Sequence, residues 1–191
     1  MNFIEIYDNA LSTDECKSII DFFENLSDEE KHEGQVFGQA GENTDVVVDK
    51  LFKDSTDYWG NFHNWGEIDS LIATRLLEKI PEYKKTHKEV DNISVWELSH
   101  EYNIQRYYKN QGYFAPHCEN GDKYSNRILA WMIYLNNVTD GGGTKFTNYD
   151  IITDAVEGRL VIWPAYWTHT HHGVVSKSQT KYIATGWYVF R

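Results

Sequence analysis

From residue 93 to the end of the chain, short runs rich in β-branched and aromatic residues alternate with turn signals. The runs lie at 94–99, 102–108, 113–119, 128–135, 143–146, 151–153, 159–163, 171–175 and 181–190. Many short strands at this spacing predict a sandwich or barrel, because only stacked or closed sheets bury so many half-apolar strands. The upstream part reads differently. Ser12 stands three residues before Glu15, a capping box, and Cys16, Ile19, Ile20, Phe22 and Phe23 follow at helical spacing. This predicts a helix to about Leu26 with Ile19, Phe22 and Phe23 packed inward. A second helix is expected from about Glu67, with Ile68, Leu71, Ile72, Leu76 and Ile80 as its apolar stripe and Pro81 kinking or ending it. Between them, residues 27–60 read as a loop-rich connection punctuated by glycines at 34, 38, 41 and 60, with one β-like run at Val46-Val47-Val48. The expected fold class is therefore α+β: a helical support region over 1–92 and a β core over 93–191, in one domain of 191 residues.

Composition excludes several function classes. The formal net charge of -11 argues against nucleic acid as a partner, since that needs a basic footprint. No apolar stretch approaches the roughly 18 residues of a membrane span. The start Met-Asn-Phe-Ile-Glu lacks the basic and apolar regions of a signal peptide. Two cysteines, Cys16 and Cys118, are too few for a disulfide framework, so reduced thiols and a cytoplasmic location are expected. Oligomeric state is not legible.

The chemistry concentrates at His117-Cys118-Glu119. On a strand, residues two apart share a face. One imidazole and one carboxylate then project together, with Cys118 opposite. A second histidine completes a 2-His-1-carboxylate triad, which leaves three positions of an octahedral metal open. Thr168-His169-Thr170-His171-His172 offers it: His169 and His171 share one face there, and His172 lies on the other. Lys181 opens the apolar run 182–190, ten residues past His171 (181 − 171 = 10). A lysine there has little reason to be inside except to meet an anion.

These pieces are ordered as in a known family. Tyr108-Lys-Asn-Gln-Gly112 precedes Pro116-His117-Cys118-Glu119. Asn126-Arg127-Ile128-Leu129, Tyr134-Leu135 and Gly142-Gly143-Thr144-Lys145-Phe146 follow, then His171-His172-Gly173, Lys181 and Trp187. The stretch from about 104 to 187 resembles the catalytic domain of prolyl 4-hydroxylases and related 2-oxoglutarate/Fe(II) dioxygenases. The resemblance implies a double-stranded β-helix (jelly-roll) core. It implies iron held by His117, Glu119 and His171, and the distal carboxylate of 2-oxoglutarate met by Lys181 and Tyr134. Tyr108 takes the place of another pocket tyrosine. It also implies Fe(II), 2-oxoglutarate and O2 as cofactor and cosubstrates, with ascorbate in support. The reaction would couple decarboxylation of 2-oxoglutarate to succinate with hydroxylation of a peptidyl proline or another amino-acid-like substrate, a peptide or a small molecule. Glu119 departs from the family's usual Asp and is one methylene longer.

Blander readings stand beside these. His-x-Glu alone is common on surfaces, His169 rivals His171, Lys181 suits an edge strand, and Tyr134 suits the core. Cys118 reads as a small buried hydrophobe. Trp163, Trp167 and Trp187 suit core or pocket wall. Gly141-Gly142-Gly143 lacks a following Lys-Ser/Thr and reads as a turn. Two other functions use the same residues: a cupin-like metalloenzyme without 2-oxoglutarate, and a catalytically silent binding module.

Overall fold

The computed structural model describes residues 1–37 and 46–191, so the glycines at 38 and 41 lie outside the described residues. The elements, in chain order, begin with β1 (Glu5–Tyr7), α1 (Thr13–Asn25), β2 (His32–Glu33), β3 (Val36–Phe37), β4 (Val46–Val47), β5 (Lys53–Asp54) and β6 (Thr56–Asn61). Then come α2 (Glu67–Thr86), β7 (Trp96–Tyr107), β8 (Gly112–Tyr113), β9 (Arg127–Tyr134), β10 (Thr144–Phe146) and β11 (Ile151–Thr153). The last are β12 (Leu160–Pro164), β13 (His171–Gly173) and β14 (Lys181–Phe190).

Seven strands form the main sheet in the order β1-β12-β9-β14-β7-β6-β2, and three form a smaller sheet, β11-β10-β13. All pairings are antiparallel. Every residue of β9 is buried, which explains its unbroken apolar texture: both faces are covered. One face sends Leu129, Trp131 and Ile133 against α1 and α2, meeting Ile19, Phe23, Ile72, Leu76 and Ile80. The other sends Ala130, Met132 and Tyr134 toward Phe146 of the small sheet. The cavity described below opens between the two sheets.

Ser12 caps α1 as expected: its hydroxyl accepts from the Glu15 amide at 3.3 Å, and the Glu15 carboxylate accepts from the Ser12 amide at 2.8 Å. Glu15 also pairs with Arg75 of α2 at 2.6 Å, so the cap ties the two helices together. Ile19 and Phe23 are buried, whereas Phe22 is half-buried, edge-on to Tyr58. Ser12→Ala should cost about 1 kcal/mol, a fall of roughly 3 °C in the thermal midpoint of a chain this size. Circular dichroism checks this; Ser12→Asp should restore the midpoint, and an unchanged Ser12→Ala midpoint would show the cap to be idle.

Several boundaries differ from expectation. Pro81 does not end α2, which continues to Thr86. Pro81 and Leu77 are both exposed, so the Leu77 carbonyl that loses its helical donor faces water, while buried Ile80 and Tyr83 anchor the turn on either side. Runs 94–99 and 102–108 are one strand, β7, that stops at Tyr107. The connection 27–60 is richer than a loop: it holds β2 to β6, and β6 extends the main sheet beside β7. The amino-terminal region thus supplies sheet as well as helices. Val46 and Val47 pair with β3 and are exposed. Among the described residues, no helix is long and apolar enough to cross a membrane. Cys16 and Cys118 are both free thiols, and burial pushes the Cys16 thiol up to about 12.

Candidate active site

His117 and His171 meet through a single antiparallel bridge. The amide of each donates to the carbonyl of the other at 2.9 Å, which sets the imidazoles 4.4 Å apart between centroids. The stretch 114–120 is not the strand expected for 113–119. His117 is an isolated bridge residue, and the Glu119 and Asn120 amides both turn to the Ala165 carbonyl at 2.9 Å. That turn still sends Glu119 to the side of His117. Its Oε1 lies 3.5 Å from His117 Nε2 and 3.4 Å from His171 Nε2, and the three ligand atoms all fall within 4.8 Å of one another. The same turn breaks the alternation that would have hidden Cys118, which is half-buried at the cavity edge with its thiol donating to the Asn120 carbonyl at 3.2 Å.

These donors fit a divalent metal. Metal–ligand bonds of about 2.1 Å place neighbouring ligand atoms about 3 Å apart, a small closure from the distances here. Each imidazole is held in the required tautomer, since Nδ1–H donates to a carbonyl at 2.9 Å, that of Ala115 for His117 and of His169 for His171. Both Nε2 lone pairs then face Glu119. Burial, helped by the neighbouring His171, lowers the His117 pKa and favours the neutral ring a metal needs. Burial alone would raise the Glu119 pKa, but without a metal the two imidazoles, when they also carry a proton on Nε2, donate to the carboxylate and hold its pKa well below the carboxylate range. The longer Glu side chain spans the gap. The Trp187 indole N–H donates to Oε2 at 2.9 Å, leaving Oε1 for the imidazole side. Tyr113 stacks flat on His117 at 3.6 Å.

The triad opens into a cavity of about 700 Å³ between the sheets. Lys181 lines it and is buried, at 6% exposure. No carboxylate reaches its ammonium among the described residues; it stands 4.6 Å over the face of Tyr107. Burial pulls its pKa down to about 8.

Tyr108 and Tyr134 do not line the cavity. Tyr108 is the first residue past β7 and is exposed, with Arg106 over its ring at 4.3 Å. The cavity face of β7 carries Asn103, Gln105 and Tyr107. Tyr134 is fully buried, its hydroxyl 2.9 Å from Thr144 Oγ1 and 2.8 Å from Thr153 Oγ1. Thr144 is the member of that chain that reaches the cavity. With the Tyr134 proton given to Thr144 Oγ1, the Thr144 hydroxyl donates to Met132 Sδ at 3.9 Å, at the cavity wall.

His169 does not share a strand with His171. It ends the one-turn helix Trp167–His169, and its Nε2 lies 2.7 Å from the Asn2 carbonyl, away from the triad. His172 is half-buried and outside the cavity lining. Arg127, to which the sequence assigned no role, is 8% exposed and lines the cavity, with its guanidinium between the rings of Trp187 (3.4 Å) and Tyr124 (3.7 Å). It sits 3.7 Å from the Glu119 carboxylate and donates to the Glu119 carbonyl at 3.2 Å.

The two histidines, the glutamate and the buried lysine that the sequence resemblance brought together thus share one cavity. Residues 102–189 match the family model described as the 2OG-Fe(II) oxygenase superfamily. No curated protein sequence matches the chain. Among solved structures, the chain is similar to the viral collagen prolyl hydroxylase of Paramecium Bursaria Chlorella virus-1, in its 2-oxoglutarate complex, with 18% identity, TM-score 0.68, and 100% of this chain and 97% of that one covered. A Pseudomonas putida prolyl-4-hydroxylase matches with 15% identity and TM-score 0.71, covering 100% of this chain and 94% of that one. A Trichoplax adhaerens prolyl hydroxylase, solved with a peptide fragment of the hypoxia inducible factor oxygen degradation domain, matches with 16% identity and TM-score 0.69, covering 99% and 84%. At these identities the likeness is one of fold, which is the α+β jelly roll.

Proposed function

We propose that the chain is an Fe(II)- and 2-oxoglutarate-dependent dioxygenase that hydroxylates a peptidyl proline or another amino-acid-like substrate. The observation that carries this reading is a single cavity holding the His117, Glu119 and His171 donor atoms together with the buried ammonium of Lys181, which no carboxylate of the described residues reaches. Bound iron with the oxoacid and O2 would supply oxidation of an unactivated C–H bond, consuming one 2-oxoglutarate and yielding succinate and carbon dioxide.

The chain's own residues do the positioning. His117 and His171 present Nε2 because Ala115 and His169 hold Nδ1–H. Glu119 presents one oxygen because Trp187 holds the other. Lys181 would meet the distal carboxylate of the oxoacid, with the Thr144 hydroxyl, backed by Tyr134, turning from Met132 Sδ to serve as a second donor. Met132, Trp163 and Ile183 wall the cavity and keep water out. Among the described residues Arg127 hydrogen-bonds only through Nη1, so its remaining donors would face a substrate carbonyl or carboxylate. The peptide bound to the Trichoplax protein and a cavity within the usual range for ligand sites support an amino-acid or peptide substrate. Two free thiols suit a reducing compartment such as the cytoplasm.

The test incubates the protein with Fe(II), 2-oxoglutarate, ascorbate and proline-containing peptides. The expected result is succinate in one-to-one ratio with a peptide heavier by one oxygen. Calorimetry on the metal-loaded protein runs beside it: no heat of binding with 2-oxoglutarate, together with no succinate above the protein-free blank, would refute the proposal.

A further inference from the structure

A buried ion pair at the cavity, of which Lys53 is in the lining and Asp57 lies behind it, has no role in the function proposed above. Lys53 and Asp57 are 4% and 2% exposed, with Lys53 Nζ 2.5 Å from Asp57 Oδ2. Ser55 donates to the other carboxylate oxygen at 2.7 Å. Such a pair is a weak contributor to stability, because the cost of taking both charges out of water is of the same order as their attraction. Its place in the sheet gives it another role. Asp57 pairs with Gln105 across β6 and β7, and Tyr107 pairs with Lys181 across β7 and β14. Gln105 Nε2 lies 3.5 Å from Asp57 Oδ2, and Gln105 Oε1 accepts from the Tyr107 hydroxyl at 2.7 Å. The carboxylate accepts only, so it turns the amide of Gln105 one way: nitrogen toward Asp57, oxygen toward Tyr107. The ring so held lies 4.6 Å beneath the Lys181 ammonium.

We propose that Asp57 and Lys53 are positioning residues for the oxoacid: acting through Gln105, they hold the Tyr107 ring under Lys181 and so set where the distal carboxylate docks. The proposal rests on the function proposed above. Lys53 and Ser55 each hold one oxygen of the Asp57 carboxylate and so fix its orientation. Asp57 orients Gln105, and Tyr107 offers its π face to the cation. Asp57 does not line the cavity, and Lys53, which does, has its ammonium engaged by Asp57.

Calorimetry with 2-oxoglutarate on Mn(II)-loaded, anaerobic protein tests this without a hydroxylated substrate. Asp57→Asn, Gln105→Leu and Tyr107→Phe should each weaken binding about tenfold with stoichiometry unchanged. Loss of folded protein would lower the stoichiometry instead. The decisive arm is the double variant Asp57→Asn/Tyr107→Phe, which should bind no more weakly than Tyr107→Phe alone, because both changes cut the same chain. If the two effects multiply, or if folded Asp57→Asn binds like the parent, the proposal is wrong. Should Asp57→Asn fail to fold, Gln105→Leu, which leaves the ion pair intact, decides in its place, and parental affinity there overturns the idea. A parent that binds 2-oxoglutarate and loses it in Lys181→Ala, beside an unaffected Gln105→Leu, sinks this inference alone; a parent that does not bind it sinks the function and this inference together.

Discussion

His171→Ala is expected to leave less than about a tenth of an iron per chain after anaerobic loading and desalting, and to slow succinate formation by about a thousandfold or more. The reason is geometric. Removing an outer hydrogen-bond partner of a metal ligand costs about 10- to 100-fold in affinity; removing a ligand costs more. Without His171 only His117 and Glu119 remain, and Glu119 Oε1 loses the Nε2 that stands 3.4 Å away. The imidazole is also packed against Phe146 and Trp163, at 5.5 and 5.0 Å between centroids, so alanine leaves a void. His171→Gln, closer in volume, should keep the fold and show the same loss of iron. His169→Ala is the counter-test, because its ring is turned to the Asn2 carbonyl. That variant should keep its iron. The reverse pattern, with iron lost in His169→Ala and kept in His171→Ala, would move the metal centre.

How much of this was legible follows from where the polar residues face. The Ser12 cap and the stripe of α1 stood out because an exposed helix on a core has one polar and one apolar side. Strand β9 stood out because it is covered on both faces. Strand β6 did not, because its inward position Asp57 faces a polar cavity wall and Gly60 lies where a Cβ would strike the Tyr102 ring at 2.2 Å. Apolar alternation marks faces turned to a core, and this face is turned to the cavity. The same inversion hid Lys53 and Gln105. The tyrosine was off by one for a different reason. The pair Tyr107-Tyr108 gives no sign of which member ends the strand, and a slip of one residue exchanges the two faces. Lys181 was legible because a charge at the head of a strand as apolar as β14 is costly without a partner. The histidines were legible as a set, but the choice between His169 and His171 needed the backbone, since a short helix interrupts the pattern before β13 begins.

Affinity for 2-oxoglutarate should fall as pH rises through about 8, and Lys181→Arg should abolish that dependence. Burial alone depresses the Lys181 pKa, to about 8, since the charged form is the one penalised. The sign follows from which form binds. A carboxylate needs the ammonium, and below pH 8 the free protein already carries it, so affinity is flat there. Above pH 8 the free protein has lost the proton and must take one up to bind, so affinity drops about tenfold per pH unit. At pH 9 the dissociation constant should be roughly ten times its value at pH 7, with one proton taken up per oxoacid bound, readable as a buffer-dependent heat. The same depressed pKa makes the ligand-free fold more stable as pH rises from 8 toward the unfolded lysine value, because the unfolded chain holds the proton longer. Ligand affinity and ligand-free stability therefore move in opposite directions over one window, which a general alkaline loss of structure cannot mimic. Arginine stays protonated throughout, so Lys181→Arg should bind at pH 9 as it does at pH 7, and Lys181→Ala should lose about a hundredfold or more at neutral pH by leaving the distal carboxylate buried without a counter-charge. A flat pH profile in the parent, or parental affinity in Lys181→Ala, would place the oxoacid elsewhere in the cavity.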